Sequence, residues 1–563
     1  MGLLNKAGLY WHTLRHLRPV QFYGRIWFRF ARPQPDLQQA PALRERTCVF
    51  QAPARRLASM TGPRKFLFLN EPGELDEIGW DGPEREKLWR YNQHYFDDLN
   101  AMDSVARKTW HLALIEDWIA HNRPGQGNGW EPYPLSLRVV NWVKWALSGG
   151  ELSLVALHSL AVQARWLKKR LEIHLLGNHL FSNAKALLFA GLFFEGTEAD
   201  GWRKTAMEIL AREIPEQLLP DGGQFELSTM YHALAFEDAL DIVNVVACYD
   251  RTAPVEDCKR IRTWLVPRLQ AMRRWLRVMS HPDGDIGLFN DAAIGIAPTV
   301  AELEAYFARC VPDAPALSLK AVEELADSGY VRLCHGAAVA LLDVARVGPD
   351  YLPGHAHADT LSFELSVGAQ RVLVNSGSSC YGTSAERLRQ RGTAAHNTVM
   401  LDGEDSSEVW GGFRVARRAY PLGLRIRKVA AATATEVTCA HNGYTRLPGK
   451  PLHHRIWRMD DEGLTVTDRI EGSHQSAEAR FHFHPAVQLE TTQSRAESGT
   501  VTLPDGTALT WQLEQGQARL ESSSWHPRFG EVLPNICLVV RLVNSASSLR
   551  FAWAPSMASA PGF

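Results

Sequence analysis

The stretch GHAHADTLSFEL, Gly354–Leu365, sets His355, His357 and Asp359 two residues apart, followed in the same register by Leu361, Phe363 and Leu365. On a strand, positions of equal parity share one face. The spacing therefore predicts imidazole and carboxylate groups on a face that runs directly into apolar core. Such groups suit proton transfer or metal binding; the alternative is a histidine-rich strand end that only faces solvent. Partners lie downstream. RVLVNSG places Asn375 at the end of a predicted strand, and RGTAAHNTVM places His396 at a strand start after Arg391. His357, Asn375 and His396 would form a divalent-metal set if their three segments converge, although Asn is a weaker zinc ligand than a carboxylate. The pair His482 and His484 in RFHFHP has no comparable partners and reads as a strand face.

Three polar clusters stand out earlier in the chain. GWEPYPLSLRVVNW (129–142) carries Trp130, Tyr133 and Trp142 beside Glu131, Arg138 and Asn141. Arg138, Asn141 and Trp142 fall at i, i+3 and i+4, one helical face. Aromatic rings stack on sugar faces and arginine pairs with carboxylate, so this face suits a sugar acid; ordinary packing tryptophans are the alternative. GNHLFSNAKAL (177–187) puts Asn178 and His179 at a helix start, where asparagine is a common cap. PDGGQFELSTMYH (220–232) places Gln224, Ser228 and Tyr231 on one face, flanked by Glu226 and His232.

These residues must be held by elements that the periodicity outlines. From about 85 to 310 the apolar spacing is three and four, over 152–176, 181–194, 202–219, 228–249 and 258–279. Gly177-Asn178, Pro220-Asp221-Gly222-Gly223 and His281-Pro282-Asp283-Gly284 punctuate them. Helix after helix with short breaks predicts helical hairpins that can close into a ring. From about 325, short Val-, Leu-, Thr- and Phe-rich runs alternate with turns and predict an antiparallel sandwich. The expected organisation is an extension at 1–85, a helical domain at 86–320 and a β-sheet domain at 321–563. Clefts between two such domains are favoured ligand sites.

The bulk properties agree with a multidomain globular chain. At 563 residues, two or three cores are expected. Net charge is −1 with 22% charged residues, which argues against a dedicated nucleic-acid binder. Eight scattered cysteines without a CxxC pair read as reduced thiols. The longest apolar run, ALLFAGLFF (186–194), is far short of the ~20 residues a membrane span needs. The N-terminus lacks the order of a signal peptide, so the default location is cytoplasmic. It carries Lys or Arg at 6, 15, 18, 25, 29 and 32, interleaved with Trp and Phe, and no acid before Asp36. Two readings stand: peripheral contact with an anionic membrane at its inner face, or helices that pack their aromatics on the next domain. The second is preferred.

Seven motifs in order carry a resemblance: WRYNQHYFDDL, GWEPYPLSLRVVNW, GNHLFSNAKALLFAGLFF, DGGQFELSTMYH, GHAHADTLSFEL, VLVNSG and RGTAAHNTVMLDG. Together, from about residue 85 to 420, they resemble the heparinase II/III-like polysaccharide lyases. The resemblance implies an incomplete (α/α) toroid followed by an antiparallel β-sandwich. The N-terminal LYWHTLRHLRPVQFYGRIWFR is similar to relatives associated with bacterial surface-polysaccharide biosynthesis. The implied activity is β-elimination on an acidic polysaccharide containing uronic acid. In that chemistry a neutral Asn178, helped by a histidine, stabilises the charge that develops on the uronate carboxylate. Tyr231 is the implied base, acid or both, provided cationic neighbours lower its free pKa of ~10. His179 and His355 are its companions. Trp130, Tyr133, Arg138, Asn141, Trp142, Glu226 and Arg391 are the expected substrate contacts. His357, Asn375 and His396 match positions that hold a structural zinc. Two departures stand out: Asn375 occurs where many relatives carry Asp, and Ser182 where some carry Glu. The alternatives are a uronyl C5-epimerase, a noncatalytic glycan-binding protein and a metal-dependent hydrolase.

Overall fold

The computed structural model describes residues 3–429, 434–491 and 496–554. Two helices open the chain, α1 (Leu3–Leu14) and α2 (Pro19–Phe30), the second with proline at its first position, where the fixed φ suits a helix start. An irregular stretch and a three-stranded antiparallel sheet within residues 60–74 follow. Helices then succeed one another: Lys87–Tyr95, Lys108–His121, Pro132–Leu147, Leu154–Lys169, Gly177–Phe193, Thr197–Gln217, Thr229–Cys248, Val255–Val278 and Val300–Cys310. Short connections make neighbours antiparallel, and the pairs form an incomplete (α/α) toroid. Gly177–Phe193 is its innermost helix. It is buried on every side from Leu180 to Phe193, as its nearly unbroken apolar sequence requires.

Polar ties inside this core are paired. Lys185 Nζ lies 2.7 Å from Asp238 and 2.6 Å from Asp241, and Lys144 Nζ lies 2.9 Å from the same Asp241 oxygen. These contacts join Pro132–Leu147, Gly177–Phe193 and Thr229–Cys248, the three helices that border the cleft described below. Such buried charges persist only with partners.

The second half is antiparallel sheet. A five-stranded sheet runs in chain order through Val322–Leu325, Tyr330–His335, Ala338–Asp343, Phe363–Val367 and Gln370–Leu373. A four-stranded sheet is ordered 517–525, 533–541, 477–482 and 399–401, and an eight-stranded sheet covers it. Their facing side chains, among them Phe363, Leu365, Trp457, Phe481, Trp511, Leu538 and Phe551, share one core. The strand Leu452–Asp460 shows the period of two, turning His453, Arg455, Trp457 and Met459 inward. Arg455 is neutralised there by Asp468 at 2.7 and 2.9 Å, and donates to the Leu361 and Asn397 carbonyls at 2.8 and 2.5 Å. All eight cysteines are free thiols.

One expectation is overturned here. His355, His357 and Asp359 lie not on a strand but in the loop 344–362 that precedes Phe363–Val367. Loop 287–293 and the segment around Arg391 hold this backbone. The Asp291 N–H donates to the His355 carbonyl, His357 N–H to Asn290 Oδ1, and Ala358 N–H to the Arg391 carbonyl. The period-two spacing reflects extended backbone whose partners are loops rather than a sheet ladder, so alternation alone did not distinguish the two.

The halves interlock. The Leu227 carbonyl accepts from Tyr330 Oη at 2.6 Å and Asn290 Nδ2 at 2.9 Å. Leu227, Trp275, Val278 and Met279 pack with Leu325, Tyr330, Val339 and Leu341 in one cluster. The cleft between the halves is therefore rigidly framed.

Candidate active site

On the helical wall, the turn before Gly177–Phe193 does the positioning. Leu176 and Gly177 both take positive φ, 62° and 53°. Glycine is favoured at the second, because a Cβ there would take a left-handed φ, press on Leu352 Cδ2 and sit 3.2 Å from Glu226 Oε1. Asn178 is not the helix cap; that position is Leu176, whose side chain caps nothing. The Asn178 amide, which lines the cleft, makes no hydrogen bond to a described residue and is free for a ligand. His179 Nδ1 is 3.2 Å from Glu172 Oε1, and its ring lies 4.5 Å from that of Tyr133. Burial disfavours the imidazolium, but the Glu172 carboxylate outweighs it, and the His179 pKa is raised.

Tyr231 stands in the first turn of Thr229–Cys248. Ser228 caps that helix by accepting from the Tyr231 N–H at 3.2 Å, and its own hydroxyl donates to the Asp291 carbonyl at 2.6 Å. The Tyr231 hydroxyl is 3.0 Å from that of Tyr381, and its ring is 4.0 Å from the His355 ring. Burial, then the neighbouring Tyr381 and Tyr133, pushes the Tyr231 phenol well above its ordinary value. This reverses the expected lowering: among the described residues no cation is placed against the phenol.

Asp291 anchors the opposite wall. Fully buried, it takes His355 Nδ1 at 3.0 Å on Oδ2, His357 Nε2 at 2.9 Å on Oδ1, and both guanidinium arms of Arg387. Burial would raise its pKa; Arg387 and the two histidine bonds outweigh that and hold the carboxyl well below the usual carboxylate range. An ionised Asp291 makes His355 Nδ1 the protonated nitrogen of the neutral ring. Nε2 is left facing the cleft, 3.7 Å from Glu226 Oε2. Tyr381 and Phe413 close the far side, each with its ring 6.0 Å from that of His355.

Residues 107–318 match the family described as Heparinase II/III N-terminus, and residues 318–554 match Heparinase II/III-like, C-terminal. The chain belongs to the heparinase II/III-like family. A heparin-sulfate lyase of Bacteroides stercoris is 28% identical over 250 residues, and one of Pedobacter heparinus 27% over 249. Each alignment spans 41% of this chain and 36% of the relative, so about a third of those proteins is matched. The crystal structure of Heparinase III superposes with a TM-score of 0.69 at 16% identity, covering 99% of this chain and 93% of that one. A heparan sulfate lyase HepC mutant from Pedobacter heparinus gives 0.60 at 18%, covering 96% and 88%. At these identities the superpositions establish the fold.

In this heparinase II/III-like chain, Asn178, His179, Tyr231 and His355 come from three separate segments to one cleft, with Tyr133 and Glu226 beside them. Four expected substrate contacts lie elsewhere. Arg138 is fully buried and donates to Gln163 Oε1, the His94 carbonyl and the Gly129 carbonyl at 2.9, 3.1 and 2.7 Å. Trp142 packs edge-on against Phe96 and Trp118, and Trp130 lies between Trp118 and Trp166. The Asn141 amide donates to the Tyr95 carbonyl and Asp97 at 2.9 and 2.7 Å. That face of Pro132–Leu147 turns into the toroid, so its polar groups brace the helical core. Arg391 is buried as well and donates to the carbonyls of Ala356, Gly411 and Gly412. It fixes the loop of His355 without offering a free charge.

The donors expected to hold zinc are each engaged by other groups. His357 Nδ1 lies 3.3 Å from His396 Nε2, and its other nitrogen is bonded to Asp291, an arrangement that a metal-bound histidine also takes. Asn375 is turned to the Asn397 N–H and the Ser362 hydroxyl, at 3.2 and 3.3 Å. Both Asp291 oxygens face Arg387, and no group of three His, Cys, Asp or Glu that could hold a metal occurs among the described residues. His357 and His396 lie against the Asp291 cluster, with burial lowering their pKa values to about 4 and about 3.

Sequence reasoning missed Asp291, Arg387, Glu172 and Tyr381. For Asp291 a signal existed: a lone acid in the apolar run GLFNDAAIGIA (287–297), where a buried carboxylate must find partners.

Proposed function

We propose that the chain is a polysaccharide lyase that cleaves a uronic-acid-containing polysaccharide by β-elimination. The observation that carries this reading is the contact between Tyr231 and an Asp291-anchored His355, facing Asn178 and His179. The names of the curated relatives, heparin-sulfate lyases, point to the same class of acidic polymer.

The roles follow from protonation. A uronate C5 proton becomes removable only when the adjacent carboxylate is neutralised. The Asn178 amide, without a hydrogen-bond partner among the described residues, donates to that carboxylate, and His179, whose pKa Glu172 raises, supplies positive charge in its protonated form as the enolate develops. His355 Nε2, its ring held by Asp291, takes the C5 proton. The C5–H electrons form the C4=C5 double bond, the C4–O4 bond breaks, and O4 takes its proton from Tyr231 Oη. A phenol whose pKa is raised is suited to be the donor at that step. The Tyr381 hydroxyl, 3.0 Å away, positions the Tyr231 hydroxyl and links it to a second proton carrier.

The test is ultraviolet absorbance of the 4,5-unsaturated uronate against a panel of uronate polymers, bacterial surface polysaccharides included. Rising absorbance should fall by ~10²–10⁴ in Tyr231→Phe. Solvent deuterium entering C5 without absorbance would replace the lyase with an epimerase. Tight glycan binding that survives Tyr231→Phe, with no turnover, would reduce the chain to a binding protein.

A further inference from the structure

Helix α2 is oriented against the usual rule for a helix that packs on its own protein. Its inward face has few apolar groups, Val20 and Phe28, the latter 4.4 Å from the His174 ring, beside Gln21, which is 1% exposed and donates to the Tyr351 carbonyl at 3.1 Å. Gly24 fits against His174, where a Cβ would come within 2.9 Å of His174 Cβ. Its outward face carries Phe22, Tyr23, Ile26, Trp27 and Phe30, which are 44, 58, 63, 65 and 75% exposed. At 100° per residue these five form one continuous stripe, and Arg25 and Arg29 follow one of its borders. Helix α1 adds Trp11, 68% exposed, and Leu14, 41%. The packing expected of these aromatics is thus absent for most of them. A contiguous apolar surface of this kind marks an interaction site.

The charge identifies what covers it. Lys6, Arg15, Arg25, Arg29 and Arg32 are exposed, and none forms an ion pair among the described residues. No acid occurs before Asp36. Tryptophan and tyrosine rings with arginine along the border match the headgroup region of a bilayer, where rings sit at the acyl boundary and cations meet anionic phosphates. No helix among the described residues is long and apolar enough to cross a membrane, so contact by these helices would lie on the surface.

We infer that α1 and α2 form a docking surface for an anionic lipid bilayer. The surface adjoins the cleft. Thr13 accepts from Trp410 Nε1 at 3.0 Å, and the Tyr10 ring packs 4.8 Å from Trp410. Trp410 and Phe413 belong to one hairpin, and Phe413 faces His355 at the rim of the site. Docking therefore sets the cleft mouth beside the membrane.

The experiment is sedimentation of the full chain with phosphatidylcholine vesicles, with and without phosphatidylglycerol. The expected result is recovery with the anionic vesicles that falls as salt rises. Arg25→Gln and Arg29→Gln should each lower the partition coefficient about fivefold, and Trp27→Ser with Phe30→Ser should abolish recovery. Because these side chains are exposed, thermal midpoints should stay at the wild-type value, which separates lost binding from lost folding. Equal recovery with neutral and anionic vesicles, or binding indifferent to both variant pairs, overturns the inference. A concentration-dependent dimer in sedimentation velocity that Trp27→Ser with Phe30→Ser dissociates would assign the face to a second copy instead.

Discussion

Replacing Asp291 with asparagine should damage stability and catalysis by different routes, and a second substitution can part them. Asp291 is the only carboxylate bonded to Arg387 among the described residues, and both side chains are fully buried. Removing one member of such a pair strands the other charge and costs ~3–5 kcal/mol. For a domain of this size that lowers the thermal midpoint by roughly 6–20 °C. In Asp291→Asn with Arg387→Met the stranded charge is gone, and most of that loss should return. Activity should not return. An asparagine cannot hold His355 as the carboxylate does, so formation of unsaturated product should stay ~10²–10⁴ below wild type in both variants. The pH dependence has a definite sign. The Asp291 pKa is lowered by folding, so its contribution is present above the unfolded value and lost as pH falls toward the folded one. The difference in midpoint between wild type and Asp291→Asn should therefore shrink only on the acid side. A single-variant loss below about 1 kcal/mol would refute the assignment of Asp291 as the charge anchor. Wild-type turnover in the double variant would refute its role in holding His355.

Gly177→Ala should lower stability by ~1–3 kcal/mol, because it combines a left-handed φ with a clash against Leu352. It should also depress turnover by displacing Asn178 and His179; a wild-type midpoint and rate would show that the turn does not position them. Glu172→Gln removes the charge that raises the His179 pKa, so the high-pH limb of the rate profile should move to lower pH. In the wild type, the stability drawn from that pair is present below the ordinary histidine pKa and lost as pH rises through the raised one. A His179 titration by NMR that is identical in both proteins would remove Glu172 from the account.

How far the site was legible depends on what each signal encodes. Gly177, Asn178 and His179 stand together in the chain, so a reader of the sequence meets them as one unit. The groups that make His355 useful do not: Asp291 is 64 residues from His355, 66 from His357 and 96 from Arg387. No local pattern joins them, and the interlocking of the two halves is what creates their contacts. The raised pKa of Tyr231 was invisible for the same reason. It depends on burial and on Tyr381, 150 residues away, rather than on chain neighbours.

By itself the sequence determined the two architectures and their order, because periods of 3.6 and 2 are written locally in apolar spacing. It also determined which residues share a helical face. Tertiary structure alone decided where each face looks. The face of Arg138, Asn141 and Trp142 turns into the toroid, while the aromatic face of α2 turns to solvent. Periodicity specifies a helix only up to rotation about its axis, and docking against the rest of the molecule selects that rotation. The same selection brought His355 and His357 to opposite oxygens of Asp291 from loop backbone that reads like a strand.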